Sequence, residues 1–133
     1  MNEEKVTKKI MGELDKDGFT ILAFDYPQSG TGVLLIPDKE GLPRINIDII
    51  AVRDRELYLF ENKDRYYPKD FEKLSFFKKN INHYKKSFEA KFKLRLLDFN
   101  VTTFIGLPEE YENRIKPEKR KLIDRVWSVK NDF

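Results

Sequence analysis

Apolar positions along the chain follow two periods. Between Asn2 and Lys16, Val6, Ile10 and Leu14 recur at helical spacing, Glu3 lies on the same stripe, and Gly18 follows the end, so this stretch predicts a helix. Phe19 to Tyr26 and the short run Val33 to Ile36 read as strands, punctuated by Pro27, the polar loop Gln28 to Gly32, and the Pro37 to Pro43 connection. Two runs rich in Ile, Val, Leu, Tyr and Phe then flank a charged turn from Arg53 to Glu56, which predicts an antiparallel hairpin. Centring the turn between Asp54 and Arg55 sets Val52 opposite Leu57, Ile50 opposite Leu59, and Asp48 opposite Glu61. Side chains alternate along a strand, so Asp48, Ile50, Val52, Leu57, Leu59, Glu61 and Lys63 share one face, and Ile47, Ile49, Ala51, Tyr58 and Phe60 the other. Apolar residues on both faces predict central strands covered on two sides.

Beyond the hairpin, Pro68 suits a first helical turn, and Phe71, Leu74, Phe77, Ile81, Tyr84 and Phe88 repeat at intervals of three and four. This predicts one amphipathic helix of about twenty residues that covers the sheet and turns its lysines outward. Its His83 is expected at the surface. Leu94 to Leu107 holds a further strand, clearest from Val101 to Ile105 and ending at Gly106. Residues 108–121 are highly charged, and Pro108 and Pro117 limit helices there to short pieces. Alternation around Val126, Trp127 and Val129 predicts a final edge strand within Leu122 to Lys130. The expected fold is α/β: one domain over residues 1–133, with a mixed sheet flanked by helices.

Length and composition narrow the chemistry. A chain of 133 residues is long enough for one core and short for two domains. Its 14% aromatic content supplies packing material despite 37% charge. Nothing approaches the roughly 20 apolar residues of a membrane span, so a soluble, cytoplasmic protein is expected. With no cysteine and a single histidine, thiolate and imidazole metal clusters are untenable, which leaves carboxylates as ligands. The loop from Gln28 to Gly32 lacks the Gly-Lys-Ser/Thr ending of a P-loop, so no nucleoside-triphosphate site is expected. The net charge of +3 is uneven: nine basic residues against three acidic ones lie between Lys69 and Arg95, a distribution suited to a polyanion or simply to a solvated helix face.

The hairpin sets two opposed carboxylates and a lysine at the end of an otherwise apolar sheet. Buried charge is costly unless paired or metal-bound, and facing carboxylates repel unless a proton or cation intervenes. A hard divalent cation answers this, and Mg²⁺ suits it because one or two carboxylates suffice while waters and phosphate oxygens complete the octahedron. Lys63 would then lie beside the ion, where it would orient or deprotonate a water or stabilise charge on phosphorus. The plainer alternative is that Asp48 pairs with Lys63 and Glu61 with an arginine.

Asp48, followed about a dozen residues later by Glu61-Asn62-Lys63 on the next hairpin strand, resembles the PD-(D/E)xK nuclease superfamily, which includes restriction endonucleases and archaeal-type Holliday-junction resolvases. Ile47 to Ala51 is close to that family's first motif and Leu57 to Asp64 to its second, although Ile47 stands where the family often has proline. The resemblance implies a restriction-endonuclease-like core, α-β-β-β-α-β with a terminal edge strand, and a Mg²⁺-dependent endodeoxyribonuclease in which Mn²⁺ substitutes. It implies Asp48 and Glu61 as metal ligands, the Asn62 carbonyl as a further one, and Lys63 as the catalytic lysine. It also favours a glutamate of the first helix as an added ligand, with Glu3 first and Glu13 second. DNA is the implied partner, and a homodimer would serve a two-strand cut. The rival reading is a non-catalytic nucleic-acid-binding or assembly module on the same fold. In either case Lys78, Lys79, Lys85 and Lys86 are the candidate nucleic-acid contacts.

Overall fold

A computed structural model describes residues 1–131, and the last two residues of the expected domain lie outside the described part. Asn2 opens the first helix, α1 (Glu3–Lys16), by accepting the Lys5 backbone N–H at 2.8 Å, with Glu3 and Glu4 favouring the positive end of the helix dipole. The chain then turns through Gly18 at φ +85°, a conformation glycine adopts without strain, into strand β1 (Thr20–Phe24).

Two short strands, β2 (Leu34–Leu35) and β3 (Ile45–Asn46), pair into a separate antiparallel ribbon. The predicted hairpin follows as β4 (Ile49–Arg53) and β5 (Glu56–Asn62) in the expected register, with Ile50 against Leu59 and Val52 against Leu57. Asp54 takes φ +54° at the turn, which a short polar side chain tolerates. Helices α2 (Pro68–Lys79) and α3 (Lys85–Phe92) form the crossover that a parallel neighbour requires, and β6 (Asn100–Pro108) then runs parallel to β5. After the one-turn helix α4 (Pro117–Arg120), β7 (Arg125–Val129) adds parallel to β6 as the expected edge strand. The main sheet is mixed, in the order β1-β4-β5-β6-β7.

Helices cover both faces. Val6, Ile10 and Leu14 of α1 pack with Ile49, Ala51, Phe60 and Phe104, and Trp127 meets the rings of Phe60 and Phe104 at the rim of this layer. Phe71, Leu74 and Phe77 of α2, with Tyr84 and Phe88, pack on Ile50, Leu57, Leu59, Ile105 and Leu107.

Four expectations fail in instructive ways. Ile47 packs with Ile50 rather than with Ile49, because the chain bends at Asp48 and the alternation of β4 starts only after it. The single long helix is two helices joined by a 3₁₀ turn: Asn80 bonds the Phe76 carbonyl through its side chain at 2.9 Å and ends α2, while the apolar stripe continues across the break. Lys73 turns inward instead of outward. Strand β6 continues past Gly106 to Pro108 because β7 pairs with it there. Among the described residues no helix is long and apolar enough to cross a membrane.

Candidate active site

Three strand ends and the starts of two helices converge at one end of the sheet. The Asp48 backbone is fixed on both sides: its N–H donates to the Phe60 carbonyl at 3.0 Å, and its own carbonyl accepts the Asp25 N–H at 2.8 Å. This holds the Asp48 carboxylate toward the end of β5, where its Oδ2 accepts the Asn62 N–H at 2.8 Å. The preceding residue, Glu61, is only 4% exposed and lies against Asp48. The pairing predicted from the turn thus brings the two carboxylates together.

Their cationic partner is Lys73 of α2. Its Nζ lies 2.8 Å from Glu61 Oε1 and donates to the Asn46 carbonyl at 2.5 Å. Lys63 instead pairs with Glu3, Nζ to Oε1 3.1 Å, and sits 4.9 Å from the centre of the Tyr67 ring. Asp70, 8% exposed at the start of α2, completes the cluster; one of its oxygens, Oδ2, is buried without a hydrogen-bond partner in the protein. Neither half of the plainer alternative holds: Lys63 pairs with Glu3 rather than Asp48, and Glu61 pairs with a lysine rather than an arginine.

Asn62 ties this cluster to the opposite face of the sheet. Its Nδ2 donates to Thr7 Oγ1 of α1 at 3.1 Å, so the helix that carries Glu3 is bonded to the strand that carries Glu61 and Lys63. Gly106, opposite Asn62 on β6, makes room for this junction: a Cβ there would collide with the Asn62 side chain and Ile10 Cδ1.

Burial dominates the electrostatics. It pushes the Asp48 carboxyl up to about 6, against the Asn62 N–H and the Lys73 charge, which pull it down. It pushes Glu61 well above the usual carboxylate value, and the neighbouring Asp48 adds to the rise while Lys73 opposes it. Asp70 is also raised by burial, against Lys63 and Lys73. Burial works against the Lys63 ammonium, but Glu3, Asp70 and Asp48 outweigh it and hold the group above an ordinary lysine. At this end of the sheet, therefore, burial disfavours charge on both central carboxylates and the Lys73 ammonium opposes that effect.

Of the residues singled out from the sequence, Asp48, Glu61, Asn62, Lys63 and Glu3 all gather here. Glu13 does not: it accepts the Trp127 Nε1–H at 2.5 Å near the far end of α1, ten residues from Glu3, or about 15 Å along a helix. Lys78 and Lys79 lie at the distal end of α2 and Lys85 and Lys86 on α3; Lys78 is bound to Asp124 at 2.6 Å. His83 is half-exposed beside Asp38, 3.2 Å away, and takes no part in the cluster.

Sequence reasoning missed Asp70 and Lys73. Their signal was nonetheless present: they stand three apart and so share a helix face, and the short Asp64–Tyr67 link forces α2 to begin where β5 ends. Among the described residues no three carboxylates or histidines form a metal-holding group, so a cation here would rest on the Asp48–Glu61 pair. No protein-family model, curated protein or solved structure matches the chain.

Proposed function

We propose that this chain is a metal-dependent endonuclease with a restriction-endonuclease-like, PD-(D/E)xK core that hydrolyses DNA phosphodiester bonds. The observation that carries the reading is the Asp48–Glu61 pair, a half-buried and a fully buried carboxylate side by side at the end of a sheet with a largely apolar interior. The order of elements, with an antiparallel β1-β4-β5 unit, a helical crossover, and a parallel β6, agrees with the core that the motif implies.

The donor set fits magnesium. It offers only oxygens, both central carboxylates are driven to neutralise, and Asp70 Oδ2 and Asn46 Oδ1 are buried beside them without protein partners. When bound, the ion would polarise the phosphate and acidify a water. Asp48 and Glu61 would hold it, and Asn62, through its N–H to Asp48 and its bond to Thr7, fixes their spacing. Lys63 keeps its proton, so it stabilises charge developing on phosphate oxygens instead of acting as a base, with Glu3 steering its ammonium. Two-strand cleavage calls for two such sites, which a homodimer would supply.

The test is incubation with plasmid, branched junctions and single strands in Mg²⁺ or Mn²⁺. Asp48→Asn, Glu61→Gln and Lys63→Met should each abolish cleavage while circular dichroism stays unchanged. Full cleavage by all three variants would end the mechanism. One observation favours the non-catalytic module: the carboxylates and lysines already satisfy one another through Lys73–Glu61 and Lys63–Glu3. That reading predicts salt-sensitive DNA binding without cleavage in any divalent ion.

A further inference from the structure

Glu61 is too buried to stay charged alone, and the cation beside it is not the lysine of its own strand motif. Lys73 reaches in from α2 with a side chain 34% exposed, against 5% for Glu61, and spends two of its three N–H donors on Glu61 Oε1 and the Asn46 carbonyl. A lysine on a flexible, partly solvated stem is held here by a point contact, without the two-pronged grip an arginine would make. One turn earlier on the same helix, Asp70 keeps a buried oxygen without a protein partner and acts electrostatically on Lys73. The ammonium thus holds two acceptors, and a third group, Asp70, stands one turn away on the same helix with an open oxygen.

We infer that Lys73 is the resident counter-cation of the Asp48–Glu61 pair and is displaced toward Asp70 when a divalent ion takes the carboxylates. It is a positioning residue that acts through Glu61, and it sets how tightly the site holds metal by competing for the same oxygen. The inference rests on the proposed metal site but not on cleavage. Its consequence runs against the usual effect of removing a residue that contacts a ligand: loss of Lys73 strengthens metal binding.

Calcium, which suits oxygen ligands, serves as the probe, with affinity read by calorimetry on the full chain. Lys73→Met should bind Ca²⁺ about tenfold more tightly than the wild type, the scale by which partners of metal ligands tune affinity. Lys73→Arg, which keeps the charge, should not gain affinity. On the unaltered protein, amine acylation followed by mass spectrometry should label Lys73 faster when Ca²⁺ is present, and this measurement stands even if the methionine variant fails to fold. Equal or weaker binding by Lys73→Met, or labelling indifferent to Ca²⁺, overturns the exchange. If neither protein binds Ca²⁺, the metal reading falls with it; if binding shifts as stated but no substrate is cut, only the nuclease reading falls.

Discussion

The Oδ2 atom of Asp48 accepts the backbone N–H of Asn62 at 2.8 Å, so the first carboxylate of the site is tethered to the strand that carries the second. The bond crosses from the bend before β4 to the last residue of β5, and it holds two acidic groups close in a buried place. Such an arrangement opposes stability, and the opposition is measurable.

Asp48 holds its proton up to about pH 6 in the folded chain, whereas an unfolded aspartate releases it near 4. Between those values the folded state alone keeps the proton. Stability from this group is therefore fully present at low pH, falls as pH rises through the window, and is level above it. The shift corresponds to roughly 3 kcal/mol. Asp48→Asn removes the titration while its amide oxygen can still accept the Asn62 N–H. In thermal melts with chelator, the variant should match the wild type near pH 4 and exceed it by a margin that grows up to about pH 6 and then stays constant. A margin independent of pH would refute the assignment.

Gly106 makes a second, purely steric prediction. A methyl group at this position meets Asn62 and Ile10 at the joint between α1 and β5, where neither a strand residue nor a packed helix can yield easily. Gly106→Ala should cost about 1–3 kcal/mol in urea unfolding. It should also lower any metal-dependent activity, since Asn62 stands between Glu61 and Lys63. A variant with wild-type stability would show that the joint has slack.

The hairpin was legible because its information is local. A two-residue turn fixes the register from Arg53–Glu56 to Ile49–Phe60, and carrying that register one step further sets Asp48 near Glu61. The helical periods of α1 and of the stripe from Phe71 to Phe88 are equally local, and those apolar positions are core except for Ile81, which is partly buried against it. What escaped depends on relations between elements. The alternation said nothing of the bend at Asp48, which comes from the chain arriving out of the β2–β3 ribbon. No periodicity marks Asn80 as a stop, since the apolar spacing runs on past it while its backbone N–H and its side-chain amide both bond the Phe76 carbonyl. Asp70 and Lys73 read as a solvated helix turn until α2 is docked against the end of β5, and only then do they face the carboxylates.

Glu3 separates two roles that the sequence leaves together. Its carboxylate is bound to Lys63 at 3.1 Å, so within the proposed site it would steer the lysine, whereas the motif alone offers it as a ligand. Glu3→Gln should leave the Ca²⁺ dissociation constant within about threefold of the wild type, and it should lower kcat about tenfold by loosening Lys63. A large loss of metal affinity in this variant would return Glu3 to the ligand set.

The four lysines proposed for nucleic acid are not equivalent. Asp124 ties up Lys78: burial tends to raise this carboxyl, but the Lys78 ammonium at 2.6 Å and the Thr103 N–H at 2.9 Å outweigh it and hold it below the usual value. A lysine so engaged releases few counterions on binding a phosphate. Lys79 and Lys86 are exposed like Lys78, but the Asp124 contact belongs to Lys78. Each lysine that does contact phosphate adds about one unit to the slope of log affinity against log salt. Lys79→Ala with Lys86→Ala should therefore flatten that slope by about two units, while Lys78→Ala leaves it nearly unchanged and instead lowers the melting temperature by freeing Asp124. Titrations from 50 to 200 mM salt with a fluorescent duplex decide the matter. A slope that falls equally on loss of Lys78 would mean that the Asp124 bond opens on binding, and that the basic surface extends toward β7.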